Sequence, residues 1–312
     1  MISCTEFIPA YSELFSFLDR NYGRDEVDRF WSYLFAPDGS GIALINFLNK
    51  EGIKGCYSYW NISLNEESAD FSMYLNEKDG WFKMDMHRCP SKGRLLELKE
   101  KTGIEPYRDY CLHCDHYRES VEKIGLEYVY DFSGTDKASC SILVYDPKKF
   151  PKKMIVDENT VQTHRNAADN EYFHKDFHNC TNTGVQYLAE KHGKEALLQY
   201  LQGTVTKLYA NALEDIKKNG ISAIQAALEE RYHNDKCDDI LTVTEENGKT
   251  LFHIAYCPAV KHFNETGRKV SEYFPLVTQT MVEIFGKQAG LSVTLESHDP
   301  ATGKATYSFT KA

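Results

Sequence analysis

The amino-acid sequence predicts an α+β protein built from two tandem ααββαββ repeats, each an antiparallel sheet packed with helices, arranged as a pseudo-two-fold pair. Three observations predict this class. Short segments recur in the same order along both halves, apolar residues follow the 3.6-residue period of amphipathic helices, and alternating segments are joined by turn residues.

Matched segments in the two halves of the sequence indicate the internal repeat. FLDRNYGRDEVDRFW, from Phe17, matches YLAEKHGKEALLQYL, from Tyr187, and FLNKEGIKG matches DIKKNGISA. The segments NEKDGWFKMDMHRCP and TEENGKTLFHIAYCP both end in Cys-Pro. Because the matches keep one order along the chain, they predict a tandem duplication. The predicted parts are a first repeat over 1–148, a linker over 149–170 and a second repeat over 171–312.

Each repeat is predicted to open with two helices, followed by a hairpin, a further helix and a second hairpin. In the first repeat these elements are Ser12–Leu34, Ile42–Tyr59, Asp70–Leu75 with Trp81–Arg88, Asp109–Lys123, and Leu126–Phe132 with Ala138–Tyr145. In the second repeat they are Asn182–Gln202, Thr204–Tyr232, Asp239–Thr244 with Thr250–Tyr256, Glu272–Gln288, and Leu291–Ser297 with Ala305–Thr310.

Composition restricts the partners. The chain has 312 residues, with 36 Lys and Arg against 46 Asp and Glu, so its net charge is −10. An acidic chain is a poor general binder of nucleic acid or of an anionic membrane. The expected partner is therefore a small-molecule substrate or ligand, and association into a homo-oligomer is compatible with the sequence.

The expected location is the cytoplasm. The N-terminal residues lack the pattern of a secretion signal, and no apolar run approaches the length of a bilayer span. The nine cysteines are therefore expected to be reduced thiols.

One cluster of reactive residue types occurs in the first repeat and lacks a counterpart in the second. It is the segment YCLHCDHY, which contains Cys111, His113, Cys114, Asp115 and His116. A thiol in the first turn of a helix gains thiolate character from the helix dipole. The segment fits nucleophilic attack by a cysteine with a histidine base, or a metal site that also uses Cys89.

Two other interpretations of this segment remain. A redox Cys-x-x-Cys pair normally follows a strand in a βαβ unit, and that context is missing here. Cys114 also belongs to an apolar stripe at helical spacing, with Tyr110, Tyr117, Val121 and Ile124, and this stripe is typical of a helix core face.

A second cluster, of histidines, lies near the junction of the repeats. His174 and His178 are four residues apart, which on a helix places both on one face, and His164 precedes them. With a carboxylate, this spacing suits a divalent metal such as zinc. The alternative is a polar helix start capped by Asp169 or Asn170, with its histidines facing water.

The residues Arg88-Cys89-Pro90, Cys111 through Asp115 and the hairpin Tyr130–Tyr145 together resemble the L-2-amino-thiazoline-4-carboxylic acid hydrolase-like family. In the second repeat the likeness runs through Tyr256-Cys257-Pro258 and His298–Phe309, without the Cys/Asp motif. The resemblance implies ring opening of a cyclic amidine by water, giving a carbamoyl amino acid, with the chemistry in the first repeat. A looser likeness is to ligand-binding domains of the vinyl-reductase type, which sense small molecules.

Three function classes follow. The first is a hydrolase of a C–N bond in a small cyclic amidine or amide-type substrate. In it Cys111 or Cys114 is the nucleophile or metal ligand, a nearby histidine moves protons and Asp115 orients. The second is a non-catalytic metal or small-ligand binding protein with its site between the repeats. A scaffold whose residues are inherited but idle is the third reading.

Overall fold

The computed structural model describes residues 2–36, 43–166 and 170–311, and it divides into two compact units. The first unit is Phe15–His174; the second unit combines Met1–Leu14 with Lys175–Ala312. The division falls at His174, whereas the sequence placed the linker over 149–170.

Glycines stop the helices that open each half. The sequence predicted two helices at the start of each half, and the structure has four at each start. In the first half they are α1 Phe7–Tyr22, α2 Arg24–Phe35, α3 Leu44–Glu51 and α4 Lys54–Glu66. Gly23 and Gly52 adopt φ values of 88° and 60°, where the i→i−4 hydrogen-bond ladder cannot continue. Ile42, the predicted start of one helix, lies outside the described residues.

The first unit folds around a five-stranded antiparallel sheet. Its strands are β1 Asp70–Asn76, β2 Trp81–Arg88, β3 Glu127–Asp131, β4 Cys140–Tyr145 and β5 Val161–Arg165. They lie in the order β3-β4-β2-β1-β5, and β5 pairs with β1 at the sheet edge. The segment predicted as a linker thus contains a strand. The sequence did not predict this strand, because β5 is mostly exposed and polar and so lacks an apolar alternation. Residues 167–169 of that segment are outside the described part.

The proline of each Cys-Pro pair starts a helix. The strands predicted before these pairs do end there, at Arg88 and Ile254, but the sequence did not predict the helices that follow, α5 Pro90–Thr102 and α11 Pro258–Glu265. Proline suits the first helical position because its missing N–H has no partner there anyway and its φ is already helical. Each half therefore has four helices before its first hairpin and a helix directly after that hairpin, rather than the predicted ααββαββ.

The Cys/His segment also differs from its predicted α-helix. Tyr110–His116 forms a 3-10 helix, η1, which continues as α6 over Tyr117–Lys123. Within the described residues a second 3-10 turn, Thr135–Lys137, precedes β4.

The second unit has a four-stranded antiparallel sheet in the order β6-β7-β9-β8. Its further elements are α7 Phe177–His192, α8 Lys194–Leu208, α9 Ala210–Asn219, α10 Ile221–Asn234, β6 Leu241–Glu246, β7 Lys249–Ile254, α12 Pro275–Gln288, β8 Leu291–Asp299 and β9 Lys304–Lys311. Gly193 and Gly220 separate its helices with φ values of 88° and 61°.

Each sheet buries one face under helices. In the first unit the Trp60 ring of α4 stacks on Phe82 of β2, with ring centroids 5.4 Å apart, beside the buried Met84 and Val144. In the second unit Phe252 and Phe309 are in contact at 4.7 Å and both are buried. The class predicted from the sequence, mixed helix and antiparallel sheet, is confirmed. Among the described residues, no helix is both apolar enough and long enough to cross a bilayer.

Candidate functional site

Four cysteines from separate elements converge in the first unit. Cys89 caps α5, Cys111 and Cys114 lie in η1, and Cys140 starts β4. The Cys89 N–H donates to the Ala138 carbonyl at 2.6 Å, which holds the end of β2 beside the start of β4. We call these four residues the thiol cluster.

Burial and mutual proximity keep the thiol cluster protonated. Burial is the main cause: it raises the pKa of Cys89 and Cys111 to about 12 and that of Cys140 to about 11. The pKa of Cys114 is raised well above its ordinary value by burial and by the three neighbouring thiols. The hydroxyl of Tyr130 hydrogen-bonds to Cys114 and Cys140 and opposes this effect.

His113 is aligned as a base for Cys114. Its Nδ1 donates to the Tyr110 carbonyl, so Nε2 of the neutral ring carries a lone pair. The Cys114 Sγ lies 3.4 Å from that Nε2 and donates its proton to it. Burial lowers the pKa of His113 to about 4, so the ring is neutral at neutral pH. The arrangement has the order nucleophile, base and orienting group.

Glu67 is a site residue that the sequence reasoning missed. It follows α4, and burial raises the pKa of its carboxyl to about 7. Its carboxylate is close enough to Cys89 and Tyr117 to raise their pKa values. A carboxyl that titrates near neutral pH can donate or accept a proton during turnover.

The remaining residues of the Cys/His segment have other partners. Asp115 forms an ion pair with Arg118, 2.7 Å between Oδ1 and Nη2. His116 Nδ1 contacts Glu119 Oε1 at 3.0 Å and Ser32 Oγ at 3.4 Å. These contacts are with α6 and α2, and they give no support to the sequence prediction that Asp115 and His116 act on substrate.

The predicted histidine site is divided between the units. His164 lies in β5 and bonds Ser72 Oγ at 2.8 Å, and His174 Nδ1 bonds Glu66 Oε2 at 2.6 Å, both within the first unit. His178 belongs to the second unit. His174 precedes α7, which starts at Phe177, so the helical four-residue spacing does not apply. Asp169, one alternative cap, lies outside the described residues.

In the second unit, His178 has different neighbours from those predicted. One donor atom each from Cys4, His178 and Asp235 lies within 4.8 Å of the other two, and all three residues are buried. Among the described residues, this is the group in which three possible metal ligands lie this close together. No three thiols of the thiol cluster lie within 4.8 Å of one another.

The second unit also contains a cavity of about 330 Å³. Cys257, Pro275, Thr278, Ala305, Tyr232 and Tyr307 are among its lining residues. Met86 pairs with Cys140 in the first sheet, and Ile254 pairs with Ala305 in the second. Cys89 and Cys257 each lie just before the first proline of the next helix. The thiol cluster and the cavity each include a strand residue from such a pair and the cysteine that precedes the next helix.

Comparison of the chain with family models, with curated proteins and with solved structures finds no match in any of the three. The likeness to the amino-thiazoline-carboxylate hydrolases therefore rests on the residues quoted for it alone.

Proposed function

We propose that the chain hydrolyses a C–N bond in a small cyclic amidine or amide-type substrate at the thiol cluster of the first unit. The observation that carries the proposal is the alignment of Cys114 Sγ, His113 Nε2 and the Tyr110 carbonyl. The resemblance to the amino-thiazoline-carboxylate hydrolases supports the same reaction class.

In this reaction His113 Nε2 takes the thiol proton as the Cys114 sulfur adds to the amidine carbon. The C–N bond then breaks, its electron pair stays on nitrogen, and the imidazolium returns the proton to that nitrogen. A water molecule attacks the carbon–sulfur intermediate, giving up a proton to the same base. The C–S bond then breaks, and the imidazolium returns its proton to the sulfur, so the thiol is regenerated and the net change is addition of one water.

Glu67 fits a supporting role. An amidine is a cation when protonated, and a carboxylate beside the thiols would bind it. Because the pKa of Glu67 is about 7, both of its protonation states are populated at neutral pH.

A metal-assisted form of the reaction uses the same thiols. Thiolates are ligands of zinc, with Zn–S near 2.3 Å, which places the sulfurs of a tetrahedral ion roughly 3.8 Å apart. No three described sulfurs of the thiol cluster lie within 4.8 Å of one another, so a zinc ion would require them to draw together. The thiol form of the reaction needs no such movement.

The proposal is tested by turnover of a panel of five-membered and six-membered cyclic amidines and lactams. We expect Cys114→Ser to lower kcat/KM by at least about 100-fold, because serine at this site is the weaker nucleophile. Cys237→Ser, a thiol of the second unit, is the matched control and should leave turnover unchanged. Full turnover by folded Cys114→Ser protein would contradict the proposal.

We also propose that the two halves arose by tandem duplication. The helices and hairpins follow one order in both halves, and the strand orders β1-β2-β4-β3 and β6-β7-β9-β8 correspond. The paired glycines, Gly23 with Gly193 and Gly52 with Gly220, share left-handed φ values to within a degree. The pseudo-two-fold arrangement of the repeats stays a prediction.

A second candidate function is favoured by the cavity of the second unit. Its volume of about 330 Å³ suits a small ligand, and cysteine remains at one of the corresponding positions, Cys257. We infer that this unit binds a small molecule without chemistry. The test measures the unfolding temperature of Cys114→Ser protein with substrates of the first unit. A rise that disappears when Ala305→Trp fills the cavity would support this inference.

A further inference from the structure

Three buried donors of different chemistry meet in the second unit. Cys4 precedes α1, His178 lies in the first turn of α7 and Asp235 follows α10. Their exposed fractions are 0 %, 3 % and 4 %. Thiolate, imidazole and carboxylate are together a ligand set for a tetrahedral divalent ion of the zinc class.

One carboxylate oxygen in this group lacks a hydrogen-bond partner among the described residues. Asp235 Oδ1 accepts the Cys4 N–H at 2.9 Å, while Oδ2 is buried, accepts no hydrogen bond and has His178 Nε2 at 3.5 Å as its ion-pair partner. A buried carboxylate oxygen that accepts no hydrogen bond destabilises the fold. Such an atom is stabilised by a donor or by a cation, and Oδ2 is the carboxylate oxygen paired with His178.

The spacing suits a cation better than a direct hydrogen bond. His178 Nε2 is 3.5 Å from Asp235 Oδ2, which is long for a charge-assisted N–H···O bond of about 2.7–2.9 Å. The edge between nitrogen and oxygen ligands of a tetrahedral zinc ion is about 3.3–3.5 Å, given bond lengths of about 2.0–2.2 Å. The pair is therefore already at the separation that a shared ion would set.

We propose that Cys4 Sγ, His178 Nε2 and Asp235 Oδ2 bind one zinc-class divalent cation in the second unit. Binding releases the thiol proton to solvent and fixes three points of the fold. Since 231 residues separate Cys4 from Asp235, the ion would fasten the N-terminal residues to α7 and α10 within this unit. The fourth coordination position is left for a water molecule.

The experiment is a zinc titration of metal-free full-length protein, followed by native mass spectrometry. The background carries Cys111→Ser and Cys114→Ser, so that the thiol cluster of the first unit does not compete. We expect one zinc per chain in this background. Adding Cys4→Ser or His178→Asn should weaken binding by at least about 100-fold.

Two matched controls lie in the same unit. Cys180 is a buried thiol of α7, and His262 bonds the carboxylate of Asp176 at 2.8 Å. Cys180→Ser and His262→Asn should both keep the zinc. Loss of zinc in these controls, or retention of it in the Cys4→Ser and His178→Asn double variant, would overturn the proposal.

A second measurement uses no substitution of the three proposed ligands, so it tests the site even where those variants fail to fold. Cobalt(II) added to the folded background protein should give a thiolate-to-cobalt absorption with the intensity of one thiolate ligand. Absence of that absorption, or an intensity typical of three or four thiolates, contradicts the assigned donor set. A zinc-dependent rise in unfolding temperature should accompany binding and be reversed by a chelator.

Discussion

At the thiol cluster, burial and the neighbouring cysteines both raise the pKa of each thiol. Each thiolate would form in a buried site beside at least one other cysteine, and Cys114 lies beside all three, so every pKa is raised. The sulfur of Cys114 therefore depends on a base at the moment of attack, and His113 supplies one because its own burial keeps it neutral. The chemistry proposed for the pair is general-base catalysis rather than attack by a preformed thiolate.

The raised pKa values predict slow alkylation. At pH 7.5 Cys89, Cys111 and Cys140 should react with iodoacetamide far more slowly than in urea-unfolded chain, since the thiolate is the nucleophile. Their rates should rise steeply only as the pH approaches 11. Peptide mass spectrometry after timed labelling measures this. Equal rates in folded and unfolded protein at pH 7.5 would show that the thiols are ionised and exposed.

The raised pKa of Glu67 should make the free energy of unfolding depend on pH. Its pKa is about 7 in the folded chain against 4.5 ordinarily, so the folded state binds the extra proton between these values. The contribution is complete below pH 4.5 and is lost as the pH rises through 7. Relative to Glu67→Gln, the parent should lose about 1–3 kcal/mol of unfolding free energy between pH 5 and 8. Urea unfolding measures it, with the exposed Glu100→Gln as a control; parallel curves for parent and Glu67→Gln would count against the buried carboxyl.

Part of this site could be predicted from residue types alone. Cys111, Cys114 and His113 stand in one short segment, and Cys89 was marked by its proline. Cys140 and Glu67 could not be found in this way, because strand register and the end of α4 bring them to the thiols. Asp115 and His116 looked equivalent to their neighbours in sequence, but each has a local partner, Arg118 and Glu119.

At the scale of elements, hairpins were easier to predict than helix ends. The alternation in Asp70–Asn76 and Trp81–Arg88 has a two-residue period that a helix cannot mimic. The apolar helical period runs on across Gly23 and Gly193, so periodicity alone did not reveal the breaks. Strand β5 was missed because an exposed edge strand of five residues carries little apolar signal.

The break before α8 gives a paired prediction. Gly193 has φ 88° and ψ 161°, a conformation essentially restricted to glycine, and an added Cβ would meet no neighbour. Gly193→Ala should therefore lower the free energy of unfolding by about 1–3 kcal/mol through backbone strain alone.

Gly203, inside α8, supplies the control. An added Cβ there also meets nothing within 4 Å, but the backbone is helical. Gly203→Ala should raise the free energy of unfolding by about 0.5–1 kcal/mol, because alanine is the better helix former. Urea denaturation distinguishes the two signs. Equal effects of both substitutions would contradict the role of φ at Gly193.

At the scale of the molecule, the chain's first residues complete the second unit. Phe7 stacks on Phe177 at 4.6 Å, the Tyr200 hydroxyl donates to the Ala10 carbonyl at 2.9 Å, and Lys207 pairs with Glu13. The sequence assigned residues 1–148 to one repeat because local patterns say nothing of contacts nearly two hundred residues apart. The matched segments did predict two hairpins along each half, and the structure has them.

The proposed mechanism requires a covalent bond between Cys114 and the substrate. Peptide mass spectrometry of protein quenched with acid during turnover of a cyclic amidine detects such a bond. We expect a substrate-derived adduct on the peptide that contains Cys114, present in the parent and absent in Cys114→Ser. Turnover without an adduct, at a rate that Cys114→Ser retains, would contradict it.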